Sequence, residues 1–316
     1  MLRRRTLLRE NGNKFKYLAF TATSSGTFSF SKSGLSYSTD GATWTTLAAN
    51  TNTPTIAAGK KVYFKGTPTP STSSPYGIGT FSSTSNFTVS GNIMSLLFGD
   101  NFINQTSLSG KEYAFYELFR NCTKLTSIDD LVLPATTLAS YCYAYMFYDC
   151  TGLSFIPVNL LPATTLARYC YRSMFQGCTS LTSIPSTLLP ATTLASYCYQ
   201  YMFQGCTGLP EIPTVLLPAT TLASHCYHSM FKGCIGIKTA PNLKAEKLVT
   251  QCYYNMFYRC TKLNSIRMLA TNISASSCLT SWVSGVASSG TFYKKTSATI
   301  PTGKSGIPSG WTVVNE

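Results

Sequence analysis

Charge is scarce in this sequence. Asp, Glu, Lys and Arg together make up 11% of 316 residues, against roughly 25% in an average soluble protein. Ser and Thr take their place, so the expected surface is neutral and hydroxyl-rich, which suits extracellular or particle proteins better than cytosolic enzymes. Histidine is nearly missing, with 2 copies, His225 and His228. There are 12 cysteines, but no Cys-x-x-Cys spacing of the kind that holds zinc. No stretch reaches the roughly 18 apolar residues of a membrane span, so no membrane insertion is expected. Carboxylate pairs, a Ser/His/Asp set and a phosphate-cradling glycine loop are also missing. The chain is therefore expected to have no catalytic residue, no metal and no cofactor.

The net charge of +14 is uneven. Arg3, Arg4, Arg5, Arg9, Lys14 and Lys16 crowd the start, with Glu10 the one acid among them. A nucleic-acid binder usually carries a basic stripe with stacking aromatics on its folded body. Here the charge is largely terminal and scattered, so no nucleic-acid partner is expected and residues 1–14 are taken as a basic tail. The start is positive like a signal peptide, but the apolar stretch of about 7–15 residues that should follow is missing. Either a signal has been trimmed or the protein does not use the secretory route.

What the chain does have is a repeat, which decides architecture before anything else. Leu-Pro-Ala-Thr-Thr-Leu-Ala begins at Leu133, Leu161, Leu189 and Leu217, 28 residues apart each time. Each copy leads into Cys-Tyr-x-x-Met-Phe-x-x-Cys: Cys142 to Cys150, Cys170 to Cys178, Cys198 to Cys206 and Cys226 to Cys234. A fifth copy, Cys252 to Cys260, follows after 26 residues. Degenerate copies end at Cys122 and begin at Cys278. Apolar residues at i, i+1, i+4, i+5 and i+8 predict an amphipathic helix in each of about seven units. Leu181-x-x-Ile184-Pro185 and its equivalents predict a short extended piece closed by proline. A single unit cannot bury its own apolar face, but stacked units share one core.

These residues resemble the BspA-like leucine-rich repeats, which carry the same Phe-x-x-Cys-x-x-Leu-x-x-Ile-x-Pro core. The resemblance covers about residues 111–287. The Leu-Pro-Ala-Thr-Thr-Leu-Ala variant is similar to repeats of gut Bacteroidales and their phages. It implies a non-catalytic binding or adhesion protein, found on cell surfaces or in phage tail and fibre proteins. The expected fold is a mixed α/β repeat: a BspA-like leucine-rich-repeat solenoid over 96–267. A small β-sandwich over 15–95 precedes it, and a last degenerate repeat and β cap over 268–316 follow. The sandwich rests on period-two runs such as Phe15-Lys-Tyr-Leu-Ala-Phe-Thr and Lys61-Val-Tyr-Phe-Lys. Ser38-Thr-Asp40-Gly41-Ala-Thr43-Trp44 resembles the Asp-box hairpin of sialidase propellers, one residue short, and reads as a structural turn.

Eight residues along an α-helix span roughly 12 Å, beyond the about 7 Å reach of a disulfide. Disulfides within a repeat are therefore excluded if the helix is there, and the cysteines are expected to pack as a ladder of buried thiols. Comparison of the copies leaves a variable outer stripe as the ligand-face candidate: Arg168, Arg172, Gln176, Gln200, Gln204, His228 and Lys232, beside a row of Tyr141, Tyr169 and Tyr197. Positions 172, 200 and 228 change freely between copies and are expected to be exposed. The expected partners are other virion proteins through the N-terminal region and a host cell-surface glycan or protein through the repeats. That would place the chain in a virion as a tail or head fibre or receptor-binding protein; the alternative is a bacterial surface adhesin.

Overall fold

The computed structural model describes residues 16–316, so the basic tail expected at 1–14 lies outside the described residues. Seven strands come first: β1 Leu18–Ala22, β2 Phe28–Phe30, β3 Leu35–Ser38, β4 Thr45–Leu47, β5 Lys61–Gly66, β6 Phe81–Ser83 and β7 Phe87–Asn92. A four-residue helix, α1 Ser95–Phe98, follows. β8 is Leu125–Val132, β9 Ser265–Met268, β10 Thr291–Lys294 and β11 Thr312–Asn315.

The larger sheet has the order β4-β3-β5-β1-β7-β8, and β2 pairs with β6 in a second layer. Alternation sends Phe20, Phe64 and Phe87 of the large sheet toward Phe28 and Phe81 of the small one. All four partner rings lie 4.7–5.3 Å from Phe20. β7 pairs in parallel with β8, from Phe87↔Leu125 to Asn92↔Val132. The N-terminal sheet therefore runs directly into the first repeat. The hairpin after β3 is a structural turn. The Asp40 carboxylate accepts the Ser38 hydroxyl at 2.7 Å and the Ala42 and Thr43 amides at 2.8 Å. Those bonds hold its carboxyl well below the usual range. Trp44 packs edge-on against Tyr17 under the Lys65 ammonium.

The expected helices are absent. Among the described residues α1 is the one α-helix, and the Cys-Tyr-x-x-Met-Phe-x-x-Cys segments are spirals of consecutive turns. Every second amide bonds back three residues: Ala144 to Tyr141, Met146 to Tyr143, Tyr148 to Tyr145 and Cys150 to Phe147, at 3.1–3.3 Å. The amides between them donate sideways into the next repeat. Tyr141 reaches Arg168, Tyr143 Cys170, Tyr145 Arg172, Phe147 Met174 and Asp149 Gln176, at 2.8–3.2 Å. The carbonyls divide in the same way, so no backbone group on this side is orphaned. The arrangement places every fourth residue in the left-handed region, as at Tyr141 (φ 58°), Tyr145 (58°) and Asp149 (54°). An apolar set at i, i+4 and i+8 fits a period of four as well as 3.6, so periodicity alone does not separate the two. The inter-repeat ladder decides, because an α-helix spends every amide on itself. The repeat is thus built of turns, with strands at its first and last units, rather than mixed α/β.

The 26-residue step does not disturb this ladder. His225, Tyr227, Ser229, Phe231 and Gly233 still donate in order to Thr250, Cys252, Tyr254, Met256 and Tyr258. The two missing residues therefore fall between Cys234 and Cys252. On the opposite side the prolines remove donors, and the middle repeats are joined sparsely there, as by Thr182 to Ser154 and Asn242 to Thr214.

Inside, rings stack from repeat to repeat. Phe119, Phe147, Phe175, Phe203, Phe231 and Phe257 form one ladder with centroids 5.4–5.8 Å apart. Tyr143, Tyr171, Tyr199, Tyr227 and Tyr253 form a second at 5.8–6.1 Å. Trp282 ends both, 6.3 Å from Tyr253 and 6.1 Å from Phe257, and its indole nitrogen donates to the Gly306 carbonyl at 2.8 Å. β9, β10 and β11 then continue as a parallel sheet.

All 12 cysteines are free and buried. The helical spacing used against disulfides falls with the helix. The thiols have a different job: Cys150 Sγ donates to the Phe119 carbonyl of the preceding repeat at 3.0 Å. Cys178, Cys206, Cys234 and Cys260 repeat the contact at 3.0–3.2 Å. Burial pushes the Cys122 thiol up to about 12 and Cys150, Cys178 and Cys206 well above the ordinary value. The reactive thiolate is thereby suppressed.

Two outcomes test this fold. A thiol reagent should detect few cysteines in the native protein and all 12 after denaturation; fewer than that in the denatured chain means disulfides. Gly233 has φ 76°, and a Cβ added there would meet nothing nearer than Gly205 Cα and N at 4.0 Å, so backbone strain and not collision would oppose a side chain. Gly233→Val should lower the unfolding free energy in urea by at least about 1–2 kcal/mol, the cost of left-handed backbone for an L-residue, with Gly233→Asn milder. Unchanged stability for the valine variant would rule out the turn spiral at this position.

Candidate functional site

The spiral sets which side chains reach solvent. Residues inside the turn point to the core, and consecutive pairs fall on the outer side of the spiral, where Ala144 and Ser173 are nonetheless covered by their neighbours: 140/141, 144/145 and 148/149 in one repeat, 168/169, 172/173 and 176/177 in the next. All ten ligand-face candidates lie on this outward face, but not in the geometry expected of a helix.

Tyr141, Tyr169 and Tyr197 belong to a longer surface row. Tyr76, Tyr113, Tyr141, Tyr169, Tyr197 and His225 stack in order with centroids 4.3–4.7 Å apart. Their faces are covered by one another, so the row offers ring edges and hydroxyls. Burial, with the neighbouring Tyr169 second, pushes the Tyr141 phenol up to about 12, which keeps it a protonated donor at neutral pH. Arg168 lies over Tyr169 and Tyr197, its Cζ at 4.8 and 5.4 Å from the ring centres.

The column 144, 172, 200 and 228 is not freely exposed, contrary to expectation. Gln200 is only 5% exposed, and Arg172 and His228 are half-buried. The column lies in a trough between the tyrosine row and a second ridge that carries Tyr145 and Tyr201. Variation between copies therefore marks a change of trough lining, not loose surface. The trough also gathers unsatisfied polar atoms: Arg172 Nε, Ser173 Oγ, Gln200 Oε1 and His228 Nδ1 are all buried without a partner.

Beside it the face sinks into an open depression of about 390 Å³. Tyr145, Tyr148 and Tyr201 wall it, and Ser173, fully buried, forms its floor. Gln176, Gln204, Arg120 and Lys232 stand at its rim. Of the ten candidates, Gln176, Gln204 and Lys232 line this depression, and Arg172 adjoins it through Ser173. Tyr145, Tyr148, Tyr201, Ser173 and Arg120 were not among the candidates. For Ser173 and Tyr201 the signal that could have found them is the glycine column: Gly177, Gly205 and Gly233 tolerate the left-handed backbone, and counting back by four from the first two gives these residues.

His228 stacks on Tyr254 at 4.6 Å and meets Tyr201 edge-on at 5.2 Å. Its pKa falls to about 4, first through burial and then through His225, Arg172 and Lys232. Arg172 and Lys232 are the fixed positive charges among these neighbours. Among the described residues no cluster of His, Cys, Asp or Glu is placed to hold a metal ion. No helix there is long and apolar enough to cross a membrane.

A family model described as "BspA type Leucine rich repeat region" matches residues 102–264 in 6 copies. No curated protein and no solved structure matches the chain.

The half-buried histidine generates a pH dependence. Unfolded, His228 protonates near its ordinary 6.5, and folded only near 4. Between these values the unfolded chain binds more protons, so acidification favours unfolding. The contribution of His228 is complete above about pH 6.5 and is lost as pH falls toward 4. The melting temperature of His228→Gln should fall less between pH 7 and pH 5 than that of the parent. An equal fall in both would show that His228 is not the group responsible.

Proposed function

The chain belongs to the BspA-type leucine-rich repeat family, and on that premise we propose that it binds a ligand on the outward face of its turn spiral. Repeats of this family type are non-catalytic and serve binding or adhesion. The observation that carries the choice of face is the trough between two tyrosine ridges. There, cations, amides and rings converge while the backbone beneath is fully bonded. Aromatic and arginine side chains over a rigid support are what binding surfaces concentrate. The core positions repeat almost unchanged and the outward positions do not, so the copies share a scaffold and differ in what they present.

We place the protein in a phage virion as a tail or head fibre or receptor-binding component. The N-terminal region would meet other virion proteins and the solenoid a host cell-surface glycan or protein. The resemblance of the Leu-Pro-Ala-Thr-Thr-Leu-Ala variant to phage and Bacteroidales repeats supports this reading. So does the continuity of the N-terminal sheet with the first repeat through β7 and β8, which makes a stiff joint of the kind a projecting component needs. A bacterial cell-surface adhesin is the other reading.

Mass spectrometry of purified particles should find the chain; its absence there, with presence on the bacterial surface, decides for the adhesin. Fluorescently labelled protein should bind host cells. Tyr169→Ala and Arg172→Ala should each weaken that binding several-fold while leaving the circular-dichroism spectrum intact. Full binding by both variants would remove this face from consideration.

A further inference from the structure

Arg172 is held in a way the fold itself does not require. Its guanidinium carbon lies 5.6 Å from the Tyr145 ring centre, 5.5 Å from Tyr169 and 5.6 Å from Tyr201. Tyr145 and Tyr201 stand two repeats apart, which at about 4.8 Å per backbone rung leaves a gap of roughly 10 Å. The residue between them in that column is Ser173, 0% exposed. The guanidinium occupies the room the missing ring would have taken. Three rings strip it of water on their sides, and its Nε and the Ser173 hydroxyl remain buried without partners.

No acid answers this charge. Among the described residues the ion pairs are Lys65–Asp100, Arg120–Glu117, Arg267–Glu316 and Lys295–Glu246. Arg172 and Lys232 take part in none of them. The acids of this face are Glu112, two repeats before Arg172, Glu117, held by Arg120 at 2.6 Å, and Asp149, close beside Gly177. A guanidinium that is caged, partly dehydrated and unpaired is prepared for an anion, and its planar fork matches a carboxylate through two parallel hydrogen bonds. Phosphopeptide sites rely on clusters of arginines, whereas here one fork lies against Tyr145 and Tyr201, two of the rings that wall a depression also lined by the Gln176 and Gln204 amides. Rings and amides around an open hollow of about 390 Å³ suit the apolar faces and hydroxyls of a sugar unit.

We infer that Arg172, in its cage of Tyr145, Tyr169 and Tyr201, receives the carboxylate of an acidic saccharide. Its sugar ring would lie in the depression over Ser173, with Lys232 as a second positive group. The inference rests on the binding reading above and names the ligand class for it.

The test is calorimetric titration of the full chain with 3′-sialyllactose, digalacturonate and neutral lactose. The two acidic sugars separate a sialylated source from a uronic-acid polymer. At least one should bind ten-fold or more tighter than lactose. Arg172→Gln should weaken that binding at least ten-fold. Arg172→Lys, which keeps the charge and loses the fork, should weaken it nearly as much. Arg259→Gln, on the same series of turns but away from the depression, should change it less than two-fold. All variants should keep the parent's melting temperature within a few degrees. Equal affinity for lactose, or unchanged affinity in Arg172→Gln, overturns the inference. If host-cell binding persists while neither acidic sugar binds, the ligand class is wrong and the binding face stands. If both are lost, the face itself is wrong.

Discussion

The structure depends on how the turn spiral divides its backbone hydrogen bonds. Half of the amides close turns within a repeat and the other half reach the next repeat, with five such rungs at each junction from Tyr113 to Cys278. An α-helix would have left adjacent repeats joined by side chains alone. The division holds them by a backbone ladder, comparable to a parallel sheet laid over a series of turns. Its penalty is left-handed backbone at every fourth residue, about 1–2 kcal/mol each for an L-residue. That penalty is offset by rungs that leave no backbone polar group unsatisfied. No β-branched residue occupies any of these positions, and Gly177, Gly205, Gly233 and Gly285 take the last of them in four repeats.

The ladder explains the uniformity of the core and the freedom of the surface together. Once each repeat is bonded in register, equivalent inward residues fall directly over one another. Phe stacks on Phe, Tyr on Tyr, and each second cysteine meets the carbonyl of the preceding Phe. A larger residue in place of Cys would collide with that carbonyl, and an apolar one would give up the donor. The thiols are therefore packing and bonding elements, and burial keeps them unreactive. Outward residues need not carry the joining of repeats, because the backbone already does so. Ala144, Arg172, Gln200 and His228 can follow one another in a single column without weakening the stack.

That freedom is also what makes a recognition surface possible. A row of stacked tyrosines fixes one wall of the trough, and the alternation of Tyr145, Ser173 and Tyr201 opens the other. The result is a ring-lined hollow on a rigid support, with Lys232 lining it and Arg172 beside it. The N-terminal strands and the Trp282 cap close the two ends of the stack, so the exposed apolar edges of the first and last repeats are covered.

Much of this was legible in the sequence. The period, the family, the core residues, the role of the Asp40 turn and the burial of the cysteines all follow from residue types recurring at fixed spacing, which one chain displays by itself. The ten candidate residues of the variable stripe were also placed on a single face. What only the tertiary structure decided is how that face is built. Apolar residues at i, i+4 and i+8 are satisfied by a helix and by a four-residue spiral alike. The choice depends on whether an amide finds its acceptor within its own repeat or in the next, and that acceptor lies 25–27 residues away. For the same reason, the burial of Gln200 and the caging of Arg172 by Tyr145, Tyr169 and Tyr201 appear only once three repeats are stacked in register.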